Sequence, residues 1–483
     1  MKNLIQSIAD PALSVNILTG EDVRRIHTAT LDVIESVGVK FPSPLALEIL
    51  EAHGAKVDRA TMIARVPGHM IEESLAKIPP SYALSALDPQ LDLPLDGKHS
   101  YLGTDGCGVE IVDALSGERR AATKRDVSDI ARVADALPAI AFHWVPLSAQ
   151  DCPPATRSLH ELEAIWNVSR KHVQTETVVT AREARVAVEM AAVLAGGHEA
   201  LRRRPVLSIM QCSVSPLAHE TGSLEAGLVA AEAGLPVGFM TMASCVSTAP
   251  ATLAGTLLVG NAEVLSALAL MQMARPGCPV FYAAAQTSAD LRTGGYTGGG
   301  PEDFLFGAAS NVLADFYKVP LSMGAYATGA KEPGWQAGVD NSFSAFVALS
   351  TGSDMLLGAG LLHGSRIFSY EELLMDVEIW SILHAMFQGI EVSDETLALD
   401  AIRGVGPGGN FLSHRHTLKH MHERWLPVLM DRRPYTAWER TRDGAREWAA
   451  ARAREILALH RPEPLEGRQA AELRRMIEIE EAT

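Results

Sequence analysis

One theme, repeated eight times between residues 99 and 360, constrains this chain more than any other feature: a short apolar run rich in β-formers, a loop, then an amphipathic helical stretch. The runs are HSYLGT (99–104), IAFHWV (140–145), HVQTETV (172–178), PVLSIMQC (205–212), PVGFMTM (236–242), PVFYAAA (279–285), PLSMGAY (320–326) and SDMLLGAG (353–360). Proline suits the first residue of a strand, where no ladder donor is needed. Alternation of strand and helix demands parallel strands, because a parallel pair cannot be closed by a tight hairpin and its crossover is right-handed. Eight such units over about 260 residues predict the α/β class and a (β/α)8 TIM barrel. The runner-up is an open doubly wound sheet, but TDGCG at 104–108 is not the glycine fingerprint that such a sheet carries after its first strand.

The helices between the runs carry start and stop signals. Thr180 with Glu183 forms a capping box, Val186, Met190, Val193 and Leu194 share a face, and Gly196-Gly197 ends the segment,. Thr123 with Asp126 and Ser369 with Glu372 open helices after the first and eighth runs, and residues 251–275 and 302–317 supply those after the fifth and sixth,. The spacing divides the chain into an N-terminal extension (1–97, helical near 20–37 and 44–53), the barrel (98–388) and a C-terminal extension packed on it (389–483). That extension ends in RQAAELRRMIEIEEA, a charged helix expected to form a solvated surface or a subunit contact.

Charge and cysteine usage narrow the function. With 58 acidic and 42 basic residues the formal charge is −16, the wrong sign for a protein that neutralises phosphates, so nucleic acid is not an expected partner. The five cysteines (Cys107, Cys152, Cys212, Cys245, Cys278) have neither CxxC spacing nor an even count, which argues against a disulfide framework or a thiolate zinc site. The first residues, MKNLIQSIADPALSVN, lack a signal-peptide core, and no uncharged apolar run long enough to span a bilayer is expected, so a cytoplasmic protein without a membrane partner is predicted.

A barrel of this kind builds its site at the C-terminal ends of its strands. Read in order, those ends offer Asp105 and Cys107, Trp144, Glu176 and Thr177, Gln211, Ser213 and Ser215, Thr241 and Ser244, Gln286, Tyr326 and His363. A hydrolytic zinc site needs three or four converging His, Asp or Cys ligands, and the ends do not present them. Asp105 with Glu176 is the obvious carboxylate pair for glycoside chemistry, though an acid at a strand tip is more commonly a loop cap. Hydroxyls, amides and aromatics predominate, as suits a cleft that positions a ligand while another group supplies the hard chemistry. The glycine-rich loop after the sixth run, AQTSADLRTGGYTGGGPEDF (285–304), is either a connector or a lid over substrate or partner, and it lacks the GK[ST] of a phosphate loop. His414, His416, His420 and His422 resemble a metal cluster by count, but without a fixed carboxylate they read as surface or interface histidines, and no metal of the chain's own is predicted.

DALSGERRAATKRDV (113–127), LRTGGYTGGGPE (291–302), DVEIW (376–380), VSDETLALDAIRGVGPGGNFLSHRHT (392–417) and WLPVLMDR (425–432) follow one another in an order that resembles the trimethylamine methyltransferase superfamily of corrinoid-dependent methyltransferases. The resemblance runs from about residue 20 to 440. It implies a barrel enzyme that moves a methyl group from a methylated amine to the cobalt(I) of a cobalamin-type corrinoid carried by a separate protein, and it favours a homo-oligomer. Founding members carry pyrrolysine; this chain has only standard residues, which implies a quaternary amine of the glycine betaine type. A quaternary ammonium has no N–H to donate and is commonly held by aromatic faces; Trp144, Tyr282, Tyr296, Tyr326, Trp335 and Phe343 are the candidates for such a cage. Arg292, Gln286 and His363 are the candidates for a substrate carboxylate, and Asp105 and Glu176 for its ammonium. No catalytic residue is singled out. A non-catalytic barrel that binds a quaternary amine or a corrinoid protein, and a metal-dependent barrel hydrolase, are the alternatives.

Overall fold

The computed structural model describes residues 5–295 and 298–482. Eight parallel strands, β1 (His99–Thr104), β2 (Ile140–Trp144), β3 (His172–Thr175), β4 (Leu207–Cys212), β5 (Val237–Thr241), β6 (Val280–Ala284), β7 (Leu321–Gly324) and β8 (Met355–Ala359), pair in sequence order. β8 returns to β1, Met355 opposite Tyr101 and Ala359 opposite Thr104, and closes the barrel. All eight strands fall inside the runs expected from sequence.

A helix follows each strand and packs around the barrel: α1 (Lys124–Asp135), α2 (Arg157–Trp166), α3 (Ala181–Ala195), α4 (Thr221–Ala233), α5 (Leu253–Ala274), α6 (Pro301–Tyr317), α7 (Trp335–Ser350) and α8 (Tyr370–Phe387), the first seven being crossovers. The N-cap side chains predicted for three of these helices are in place, although the box at Thr180 is half-formed, with Glu183 accepting from the Thr180 hydroxyl and not from its N–H. Thr123, Thr180 and Ser369 each accept from the backbone N–H three residues on, a contact that stabilises a helix start by about 1 kcal/mol. Gly196 ends α3 in the left-handed conformation.

Successive strand residues face opposite sides. Tyr101, Phe142, Met210, Met240, Phe281, Ala283 and Leu357 fill the barrel interior, whereas Leu102, Ile209, Phe239, Tyr282 and Leu356 pack outward under the helices. A hairpin of Tyr82–Leu84 and Leu93–Leu95 joins the interior cluster and plugs the barrel at the N-terminal end of its strands. Interior packing depends on a glycine at one point. A Cβ on Gly238 of β5 would lie 2.0 Å from Phe281 Cε2, and Phe281 is fully buried. Gly238→Ala is therefore expected to lower stability by about 1–3 kcal/mol through overpacking, read as a fall in urea midpoint, with Phe281→Leu in the same chain restoring most of it.

Helices Gly20–Asp32, Pro44–Ala52 and Gly68–Leu75 of the N-terminal segment pack against α5. By length and composition α5 could cross a membrane, but most of it is buried here. Helix Ala445–Leu459 covers α8 and α1, and Gly467–Glu481 lies on α3 and α2. The charged terminal helix is thus a partner of its own barrel and not simply a solvated surface: Leu473 and Ile477, four residues apart on one face, are buried, and Arg182 and His160 pair with Glu480 and Glu481.

Candidate active site

At the C-terminal mouth of the barrel lies a cavity of about 570 Å³ to which every strand end contributes. Asp105 and Cys107 follow β1, Trp144 ends β2, Glu176 and Thr177 follow β3, Gln211 and Cys212 end β4, and Met240 and Met242 lie at the end of β5. Ala285, Gly324, Ala327, Gly358 and Ser365 complete the β6 to β8 side, while Arg157, Ser158 and Glu183 enter from the first turns of α2 and α3.

The backbone of Trp144 is pinned to β1, and its indole is packed against the chain that follows that strand. Its backbone N–H donates to Thr104 Oγ1 (3.0 Å), and that hydroxyl donates to the Trp144 carbonyl (2.6 Å). The chain after β1 crosses the ring so closely that a Cβ on Gly106 would lie 2.4 Å from Trp144 Cε2. Only glycine fits there.

Two carboxyl groups share the cavity. Asp105 accepts from the Gly106 N–H (2.8 Å) and from the Ser365 hydroxyl; burial nonetheless pushes its pKa up to about 6. Glu176 is pushed further, to about 8, first by burial and then by the charges of Asp105 and Glu161, while the Cys107 thiol works in the opposite direction. Its Oε1 has no hydrogen-bond partner among the described residues. Beneath them Glu161, raised to about 7 by burial, accepts from Thr177 Oγ1 (2.6 Å) and the Ala149 N–H (2.9 Å). Burial raises the thiols of Cys107 and Cys212 as well, which keeps both protonated and poorly nucleophilic. Gln211 donates to the Val178 carbonyl (2.9 Å), and its own Oε1 is buried without a partner among the described residues.

Among the described residues Arg157 is the cation that lines the cavity. It opens α2, its Nε is buried with no hydrogen-bond partner among them, and Nη2 meets the Cys152 carbonyl at 3.5 Å. An arginine fork so poorly engaged is free to take an anionic oxygen bidentately.

The structure thus brings together Asp105, Trp144, Glu176 and Gln211, along with Cys107 and Thr177, from the sequence-derived set. The others lie elsewhere, each for an identifiable reason. Tyr282 faces outward on β6 and bonds Asn261 (3.3 Å), and Tyr326 is buried in the same outer layer. Trp335, 84% exposed, starts α7, and Phe343, 59% exposed, stacks on Phe304. Arg292 lies in the open beside Asp290 (2.9 Å) on the loop after β6, and His363 is held by a backbone bond to Ala330 in an exposed turn. Gln286 faces a separate cavity of about 20 Å³ with Asp303 and Asp340. Ser213, Ser215 and Thr241 are taken up by Glu263 of α5, whose Oε2 accepts from all three (2.5, 2.9 and 2.8 Å). Ser244 enters a two-residue strand pairing with Thr287. Tyr296 lies outside the described residues.

A closed parallel barrel with a polarised cavity at its strand ends defines a barrel enzyme that works on a small ligand. The family model described as trimethylamine methyltransferase matches residues 1–483, and the chain belongs to that family of methyltransferases. It is 35% identical over 461 residues, 95% of this chain and 92% of the relative, to the trimethylamine methyltransferase MttB of Desulfitobacterium hafniense strain DSM 10664 / DCB-2. To the glycine betaine methyltransferase of Desulfitobacterium hafniense strain Y51 it is 34% identical over 466 residues, 96% of each chain. The solved structure of the Methanosarcina barkeri monomethylamine methyltransferase superposes with a TM-score of 0.56 at 11% identity, over 92% of this chain and 88% of that one, a likeness of fold.

Proposed function

We propose that this methyltransferase takes a methyl group from a small quaternary amine that also bears a carboxylate, and passes it to a corrinoid held by a separate protein. The observation that carries the reading is the make-up of one cavity: an indole and two carboxyl groups from the strand ends on one side of the charge balance, an unengaged arginine from α2 on the other. A quaternary nitrogen attracts the ring quadrupole and the carboxylates, and its charge draws Asp105 and Glu176 toward their ionised forms. Arg157 complements the opposite end of such a zwitterion.

At about 570 Å³ the cavity suits a small amine and not a corrinoid macrocycle, which fits a cofactor that stays on its carrier and meets the substrate at the mouth. When bound there, the reduced corrinoid supplies the nucleophile for the methyl group. The residues of this chain bind, orient and exclude water. The C–N bond pair stays with nitrogen, which departs as a neutral tertiary amine, so no side chain has to deliver a proton. Alignment of the methyl group is the remaining task, worth up to about 7–11 kcal/mol in favourable cases.

The five free cysteines support a reducing, cytoplasmic location. Exposed Ile390, Val392, Leu412, Leu418, Leu426 and Val428 support burial of this segment in a homo-oligomer. The test is a panel of glycine betaine, proline betaine, carnitine, choline and trimethylamine, each offered with a reduced corrinoid protein and followed by the cobalt absorption spectrum. Methyl transfer is expected to be fastest from the carboxylate-bearing amines and slower but measurable from choline, and to be slowed at least about thirtyfold by Trp144→Ala, the scale of a desolvated cation–π contact of about 2 kcal/mol. No transfer from any quaternary amine overturns the proposal.

A further inference from the structure

The sequence spacing of the C-terminal histidines fixes no carboxylate beside them; the fold supplies one. We propose that Glu395, His416 and His420 form a binding site for a divalent transition metal, zinc foremost. His416 and His420 are four apart on helix Arg415–His420, so they share a face,, with ring centroids 4.3 Å apart. Glu395, on the short helix Asp394–Leu397, comes to the same face, and one ligand atom from each of the three lies within 4.8 Å of the others. His420 Nε2 and Glu395 Oε1 are already 3.1 Å apart, close to the spacing of about 3.4 Å between ligands on a tetrahedral zinc with bonds of about 2.1 Å.

The second observation lies behind the first. The other nitrogen of His420, Nδ1, meets both oxygens of Glu423 at 2.9 Å. A carboxylate behind a histidine fixes its ring and tautomer and raises its basicity as a ligand, the usual support of metal-bound imidazole. Two nitrogens and one carboxylate oxygen suit zinc and its neighbours better than magnesium or calcium, which prefer all-oxygen shells. Three protein ligands leave a coordination position for water, and both histidines are partly buried while Glu395 is exposed.

Without metal, the same carboxylate oxygen pairs with Lys419 Nζ at 2.6 Å. An ion-pair cluster is the competing account, and Lys419 separates the two. Its side chain is 62% exposed and can swing into solvent, so it competes with a metal for Glu395 without blocking the site. A bound ion would tie residue 395 to residues 416 and 420 across the glycine-rich stretch 404–409.

The experiment uses the full-length chain without a histidine tag, stripped with a chelator and titrated with ZnCl2 by calorimetry, with elemental analysis after dialysis. One zinc per chain is expected, with slower hydrogen exchange across residues 395–420 on binding. His416→Ala and His420→Ala should each weaken binding at least about tenfold, and Glu423→Gln, which keeps the segment's shape, by about tenfold. Lys419→Ala should tighten it and His422→Ala leave it unchanged. Absence of stoichiometric zinc, or zinc retained equally by the His416→Ala/His420→Ala double variant, overturns the site.

Discussion

Asp105→Asn is expected to leave the protein more stable and far less active at pH 8. Asp105 is buried, and its pKa stands at about 6 against an ordinary 3.8. Between those values the unfolded chain has lost a proton that the folded chain keeps, so stability falls as pH rises through the window and stays lower above it. A shift of that size corresponds to about 3 kcal/mol. Asparagine removes the ionisation while keeping both contacts, its amide oxygen accepting from the Gly106 N–H and its amide nitrogen donating to the Ser365 hydroxyl. Activity moves the other way. A carboxylate about 4 Å from a cation contributes about 4 kcal/mol at an effective dielectric near 20, so kcat/KM for a quaternary amine should drop by about two to three orders of magnitude. In the unsubstituted protein, affinity for the cation should rise with pH in two steps, near the raised values of Asp105 (about 6) and Glu176 (about 8). In Asp105→Asn only the upper step remains. Thermal unfolding at pH 5 and pH 8, set beside a pH profile of kcat/KM, checks both halves. A variant that loses stability and activity together would make Asp105 a structural residue.

The barrel was legible because its strands are buried on both faces and therefore read as short unbroken apolar runs, several opened by proline,. What was harder to read is which way a side chain points. Tyr282 and Phe281 are neighbours on β6, yet one faces the helices and the other the interior. The signal for that parity is in the sequence but is non-local: Gly238 on β5 makes room for Phe281 on the adjacent strand. Tyr282 left the cage for this reason, since a count of aromatics near strand ends carries no parity, whereas Trp335 and Phe343 left it because they belong to the exposed face of α7. Ser213, Ser215 and Thr241 were misleading in another way. They do sit at strand ends, but Glu263, one helix further on, absorbs all three. Arg157 and Ser365 lie beyond the strand tips. In a barrel the first turn of each following helix faces the same rim, so ATRS at 155–158 carries the local signal for Arg157. The alternation of Leu473 and Ile477 with charged residues likewise marked an apolar stripe on the last helix.

Arg157→Gln should separate the two ends of the substrate. If the guanidinium holds a carboxylate, the variant loses a charge-assisted, largely desolvated pair whose truncation costs about 2–4 kcal/mol, and KM for glycine betaine should rise roughly 30- to 1,000-fold. Choline, with the same trimethylammonium head and a hydroxyl in place of the carboxylate, gives Arg157 nothing to bind, and its kinetics should stay within about threefold. Arg157→Lys keeps the charge but not the fork and should fall between. The effect on kcat distinguishes two roles for the anchor. A carboxylate that is merely held raises KM alone when released, whereas one that also sets the methyl group in line lowers kcat too, because remote binding energy is then spent on alignment. Arginine stays charged throughout the working range, so the Arg157→Gln defect should be the same at pH 6 and pH 8, unlike that of Asp105→Asn. Equal loss on betaine and choline would place Arg157 in the structure of the α2 turn and not in recognition.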